Sequence, residues 1–222
     1  MKIALVYCLH GNEKKTEEIA KHFESQGDVK IFFGNPKAYE EGVRFTESDM
    51  NRSFNRTDTY EGKEAARLKA ELDEYNADLV IDLHMTKATM PPTIIVTDLK
   101  RLELAKLFGV NKVIYMTEIF ANGGSLIENI KNSITIEILD DEKVIEIGID
   151  IINNVLYGDK LVDEFDVYTV ERKVTGKPVG DIKNFEMLEN GKYPVFYGNK
   201  SYVKNSGVYY LECGKSVFSI NN

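Results

Sequence analysis

Three side chains stand out for the chemistry they could do together. His10 follows the apolar run IALVYCL (3–9), and Glu13 comes after it at H-x-x-E spacing in the turn HGNE. His84 closes another apolar run, in IDLH. Two imidazoles and one carboxylate, delivered from the ends of different strands, form a catalytic zinc set whose fourth position stays open to water or substrate. Zinc lowers the pKa of such a water to about 7 and polarises a carbonyl. A single histidine at a strand end is more often structural. The pairing of H-x-x-E with a second histidine in a D-x-H context is what favours a metal here. Asp82 precedes His84 by two residues and so projects from the same strand face, where it could orient the imidazole or serve as an ordinary strand-end carboxylate.

Further groups could complete a reaction centre. Glu137 ends the run SITIEI, and a carboxylate at a third strand end is placed to act as a general base. It could equally be the outward member of an alternating strand. The segment 35–54 carries Arg44, Asn51 and Arg52. Arginine at a site holds carboxylate or phosphate by paired hydrogen bonds, although a surface loop with two arginines accounts for the same residues. His22 falls on the polar side of a helix and reads as surface. Cys8 and Cys213 are too few for a disulfide framework, and Cys8 reads as a buried thiol.

These residues need strands to carry them. The continuous apolar run at 3–9 predicts a strand buried on both faces, 78–83 a further buried strand, and 29–33, 93–97, 112–116 and 133–138 further strands. Helices are expected at 14–25, 60–76, 99–108 and 142–157, the third stopping at Gly109, while Gly34-Asn35-Pro36 reads as a break. Strands alternating with helices predict an α/β fold: a mixed, largely parallel sheet flanked by helices. In such sheets ligands collect beyond the carboxyl ends of strands, where His10, Glu13 and His84 fall. After Gly158-Asp159 the chain turns to short alternating runs rich in Tyr, Val and Phe, which predicts a small antiparallel β-domain over 158–222, following a main domain over 1–157.

Bulk properties narrow the partners. The chain has 222 residues, of which 43% are hydrophobic and 29% charged, with a formal net charge of −8. An acidic chain is a poor partner for nucleic acid. No run approaches the roughly 18 apolar residues of a membrane span. With no export signal in MKIALVYCLHGNE, a cytoplasmic location is the expectation.

Taken in order, CLHGNE (8–13), NPKA (35–38), Arg44, DMNRSF (49–54), IDLH (81–84) and TIE (135–137) resemble the aspartoacylase and succinylglutamate desuccinylase family, within the zinc-carboxypeptidase-like fold. The resemblance implies one zinc ion per chain on His10, Glu13 and His84, with Glu137 as general acid/base and Arg44 polarising the scissile carbonyl. It implies that Asn51 and Arg52 hold a substrate carboxylate, and that Tyr202, in YPVFYGNKSY (193–202), reaches in from a β-domain that narrows the cleft. The activity implied is hydrolysis of the N-acyl amide bond of a small anionic acyl-amino-acid-like substrate, with a homodimer left open. The chain departs from the family pattern at Leu139, where glycine is usual, and at Met85-Thr86, where aspartoacylases carry Asn-Thr. It also lacks an aligned arginine ahead of Glu137, Lys131 being the nearest basic residue. Two other readings use the same ligands: a carboxypeptidase-like enzyme acting on short peptides or cell-wall fragments, and a non-catalytic, metal-containing ligand-binding protein.

Overall fold

The computed structural model describes residues 1–116, 123–158 and 160–220. The first strand, β1 (Ile3–Tyr7), is buried along its whole length, because it lies between two parallel neighbours with both faces covered. Helix α1 (Lys15–His22) leads to β2 (Val29–Phe33), and α2 (Pro36–Glu41) follows at once. The expected break at Asn35-Pro36 is in fact a helix start. The Asn35 side chain accepts from the Ala38 N–H and Pro36 occupies the first turn, a position where its missing N–H costs nothing. Helix α3 (Tyr60–Tyr75) is capped by Thr59, whose side chain accepts from the Gly62 N–H, and it ends on Asn76 in the left-handed region.

The centre of the sheet is built from β3 (Leu79–Thr86), β4 (Thr93–Val96), β5 (Lys112–Tyr115) and β6 (Ser133–Leu139). Between β4 and β5 the expected helix over 99–108 is irregular: one α turn, α4 (Leu102–Ala105), sits between two 3-10 turns. It stops at Gly109, which adopts φ 68°. A short helix, α5 (Leu126–Asn129), opens on a Ser125/Glu128 capping box just before β6. Helix α6 (Val144–Tyr157) packs Gly148 against Ile19 of α1, so closely that a Cβ there would lie 2.5 Å from the Ile19 side chain.

The described strands form one nine-stranded sheet once β7 (Glu164–Val174), β8 (Tyr193–Val195) and β9 (Tyr210–Ser219) are added, in the order β2-β1-β3-β6-β4-β5-β7-β9-β8. The last helix, α7 (Lys200–Ser206), lies between β8 and β9. Pairing is parallel except for β4 on β6, β7 on β9 and β8 on β9. The fold is therefore the expected mixed, largely parallel α/β sheet flanked by helices. The antiparallel strands of the last third continue this sheet through the parallel β5–β7 ladder; Asp159, at the expected boundary turn, lies outside the described residues. Alternate side chains of β1 feed the two faces: Ile3 and Leu5 join one core with α1 and α6, while Ala4 and Val6 join the other with α3. No helix among the described residues is long and apolar enough to cross a membrane.

Candidate metal centre and cleft

Strand β1 ends at Tyr7 because Cys8 takes φ 53°, a left-handed conformation in which the chain cannot continue as a strand. The Cys8 N–H donates to Thr16 Oγ1 at 3.1 Å, and the Thr16 hydroxyl donates to the Glu13 carbonyl at 2.7 Å. The Glu13 N–H closes a tight turn on the His10 carbonyl at 3.0 Å. Gly11 passes so near α2 that a Cβ would lie 2.1 Å from the Ala38 carbonyl carbon. The glycine of HGNE thus serves close backbone approach. The turn brings His10 Nδ1 to 2.8 Å from Glu13 Oε1.

His84 arrives from β3, one strand away. Its Nδ1 lies 3.1 Å from His10 Nδ1 and 3.1 Å from Glu13 Oε2. The outer nitrogens turn towards carboxylates: His10 Nε2 is 3.2 Å from Asp49 Oδ1, and His84 Nε2 is 3.0 Å from Asp82 Oδ2. Asp82 Oδ2 also accepts from the Thr135 hydroxyl at 2.8 Å. All three candidate ligands are buried. Burial raises the Glu13 carboxyl, but the two imidazoles overcome this and hold it well below the usual range. Burial likewise opposes charge on His84, yet Asp82 and Glu13 raise its pKa well above that of a free imidazole.

The donor set fits a divalent metal. In the tautomer that carries each ring hydrogen on Nε2, towards its carboxylate, both Nδ1 lone pairs and the Glu13 carboxylate would converge on one point. Their spacing of 2.8–3.1 Å is close to the edge of about 3.3 Å that a tetrahedral zinc imposes on nitrogens at 2.0–2.1 Å. Three converging lone-pair donors repel one another unless a cation or a proton lies among them. The carboxylates behind both imidazoles are the outer partners by which metal-ligating histidines are oriented.

Glu137 stands beside His84 because β3 and β6 pair in parallel with those two residues in register. Its Oε2 is buried without a hydrogen-bond partner, and burial pushes its carboxyl up to about 8. Arg44 donates through Nε and Nη2 to Asp49 Oδ2 at 3.1 and 3.0 Å, with Nη1 3.7 Å from Glu13 Oε1. Asn51 Nδ2 is 3.4 Å from His84 Nε2, while its Oδ1 accepts from the Leu126 N–H at 2.9 Å. The loop bearing these residues is pinned by Glu61, a buried carboxylate accepting from the N–H groups of Thr46 and Ser48 and from the Thr46 hydroxyl. From the last third, Tyr202 of α7 packs on Phe196, and Asn199 donates to Thr86 Oγ1 at 3.3 Å. Burial pushes the Tyr202 phenol up to about 12.

His10, Glu13, Arg44, Asn51, Arg52, His84, Glu137 and Tyr202 all line one chamber. His22 is exposed. Lys131 lies away from the site, in a surface depression with Lys69 and Asp73. Leu139 continues β6, paired with Thr86. Sequence reasoning missed Asp49 as the partner of His10, although it opens the DMNRSF segment. It also missed Thr135, whose position two residues before Glu137 marks it as facing the same side. No sequence signal pointed to Asn199, Ile95, Met116 or Ile127, which line the same chamber.

The catalytic-domain model of the succinylglutamate desuccinylase/aspartoacylase family matches residues 1–142. A probable aspartoacylase of Prochlorococcus marinus (strain MIT 9515) is 34% identical over 110 residues, 42% of this chain and 37% of that protein. The aspartoacylase of Mus musculus is 30% identical over 128 residues, 48% of this chain and 41% of that protein. The chain thus matches well under half the length of these relatives. Among solved structures, murine aminoacylase 3 superposes with a TM-score of 0.75 at 19% identity, covering 99% of this chain and 97% of that one. The succinylglutamate desuccinylase of Chromobacterium violaceum gives 0.71 at 18% identity, covering 100% and 85%. At such identities the likeness is one of fold.

Proposed function

We propose that this chain, which belongs to the succinylglutamate desuccinylase/aspartoacylase family, is a zinc-dependent hydrolase of the N-acyl amide bond of a small, carboxylated acyl amino acid. The observation that carries the reading is the convergence of His10 Nδ1, His84 Nδ1 and the Glu13 carboxylate beside the unpartnered Glu137 carboxyl. His10, Glu13 and His84 would hold one zinc ion, which when bound supplies Lewis acidity, acidifying water and polarising a carbonyl.

The remaining chemistry belongs to the chain. Glu137 takes a proton from the attacking water and delivers it to the amine nitrogen as the C–N bond breaks, leaving a carboxylate and a free amine. Arg44, held rigid by its two bonds to Asp49, offers its guanidinium to the oxyanion that develops on the acyl carbonyl. Asn51 and Arg52 bind the substrate carboxylate. Tyr202, kept protonated, donates a hydrogen bond from above. Residues 158–222 serve as the cap that supplies Tyr202 and Asn199 and narrows the cleft. The inner chamber beside the candidate ligands has a volume of about 40 Å³ and adjoins an outer one of about 220 Å³, a scale suited to a small substrate.

The test is a panel of N-acyl amino acids given to zinc-loaded protein, alongside the Glu137→Gln variant. The variant should retain zinc and lose turnover by roughly 10²–10⁴-fold. Equal rates in the two proteins would sink the assignment.

A further inference from the structure

The inner chamber is charged at one end and apolar at the other. Among the described residues lining it, the cations are Arg44 and Arg52. Arg44 is turned to Asp49 and assigned to the acyl carbonyl, which leaves Arg52, whose Nη1 donates to the Asn51 carbonyl, to meet a substrate carboxylate. Lys173 lines the outer chamber rather than the inner one.

Asn51 ties this anion-binding end to the opposite corner, since its Oδ1 accepts from the Leu126 N–H at the start of α5. A substrate group next to the bound carboxylate therefore reaches the corner formed by Ile95, Met116 and Ile127, all nearly fully buried. Among the described residues of this corner the charged one is Glu128, whose carboxylate accepts from the Ser125 N–H and hydroxyl at 3.0 and 2.7 Å, while the Thr97 hydroxyl donates to the Ile127 carbonyl at 3.3 Å. A second substrate carboxylate would lose its water on entering this corner and meet no cation among the described residues that form it.

We propose that the substrate presents a single carboxylate to Asn51 and Arg52 and, beside it, an uncharged apolar side chain that packs on Ile95, Met116 and Ile127. The substrate class is then the N-acyl derivatives of apolar monocarboxylic amino acids, rather than those of aspartate or glutamate. This inference rests on the deacylase reading for turnover but not for binding.

The experiment compares N-acetylleucine and N-acetylmethionine with N-acetylaspartate and N-succinylglutamate on the zinc-loaded full chain, with calorimetric binding of free leucine and aspartate in parallel. The monocarboxylic substrates should be favoured by roughly 100-fold in kcat/KM, the order of discrimination a hydrophobic pocket achieves against a polar group. Leucine should bind more tightly than aspartate. Ile127→Arg, which places a cation in the corner, should shift preference towards N-acetylaspartate. Should that variant not fold, the wild-type comparison decides alone. A preference below about tenfold, or one for the dicarboxylic compounds, overturns the inference. No turnover on any substrate, with leucine still bound in preference to aspartate, would sink the deacylase reading and support the pocket's selectivity. Failure to bind either amino acid would overturn the pocket assignment too.

Discussion

The Nδ1 atoms of His10 and His84 face each other across 3.1 Å, their ring centroids 4.7 Å apart. Both imidazoles are buried, and the carboxylate of Glu13 closes the third side. Such a cluster is held together best by a cation at its centre, and the strength of that hold can be measured.

Elemental analysis of the purified chain should return one zinc per molecule. Added zinc should raise the thermal unfolding midpoint, since a ligand at 100 times its dissociation constant stabilises the folded state by about 2.7 kcal/mol. Chelation should reverse the gain. In His84→Ala both the zinc content and the thermal response should disappear; a variant that still binds stoichiometric zinc would remove His84 from the ligand set.

Among the described residues, the Asp82 side chain is hydrogen-bonded to the outer nitrogen of His84 and to the Thr135 hydroxyl. Asp82→Asn should fold normally by circular dichroism but bind zinc about 10–100-fold more weakly, the usual effect of losing a ligand's outer partner. Unchanged affinity in a competition titration would reduce Asp82 to a structural group.

Glu61 carries the loop that presents Arg44, Asp49 and Asn51. Burial raises its carboxyl, but the N–H groups of Thr46 and Ser48 outweigh burial and hold it below the ordinary range. A carboxyl depressed on folding contributes stability that is present above its unfolded pKa, about 4.3, and is lost as pH falls through the folded value. Glu61→Gln should cost about 1–3 kcal/mol at neutral pH and flatten the decline of stability below about pH 4. Denaturant titrations at pH 7 and pH 3 would show it; an equal deficit at both would mean that charge on Glu61 is irrelevant.

Gly11 is needed for space. In Gly11→Ala the new methyl meets backbone atoms of Ala38 and Tyr39 at 2.1–2.4 Å, which only a shift of α2 could relieve. A loss of several kcal/mol, or failure to fold, is expected. A fully active, equally stable variant would show that the turn has slack.

The three candidate ligands were legible in the sequence because an H-x-x-E follows the first buried strand and a D-x-H lies near the carboxyl end of another, although β3 runs two residues beyond His84. The Glu137 position followed from the same logic. Asp49 was not legible as a partner of His10, since 39 residues separate them and nothing in the loop's composition says that it folds back. Helices α2, α5 and α7 have four to seven residues, too few turns for a 3.6-residue period to show. Their starts lie in the caps Asn35, Ser125 and Asn199, residue types that turns favour equally. The attachment of the last third could not be foreseen either. An alternating strand at a sheet edge looks the same whether it belongs to a separate layer or to the one before it.

That attachment separates two properties of the molecule. Every candidate ligand, and Glu137 with them, is encoded before residue 140, yet among the described residues the far hydrogen-bonding margin of β5 is covered by β7. A chain cut after Tyr157 would keep the whole metal-ligating set while presenting a bare strand on which other copies could template. Chemistry and colloidal behaviour are thus written in different stretches of the same polypeptide, and a truncated form would aggregate for reasons unrelated to its reaction centre.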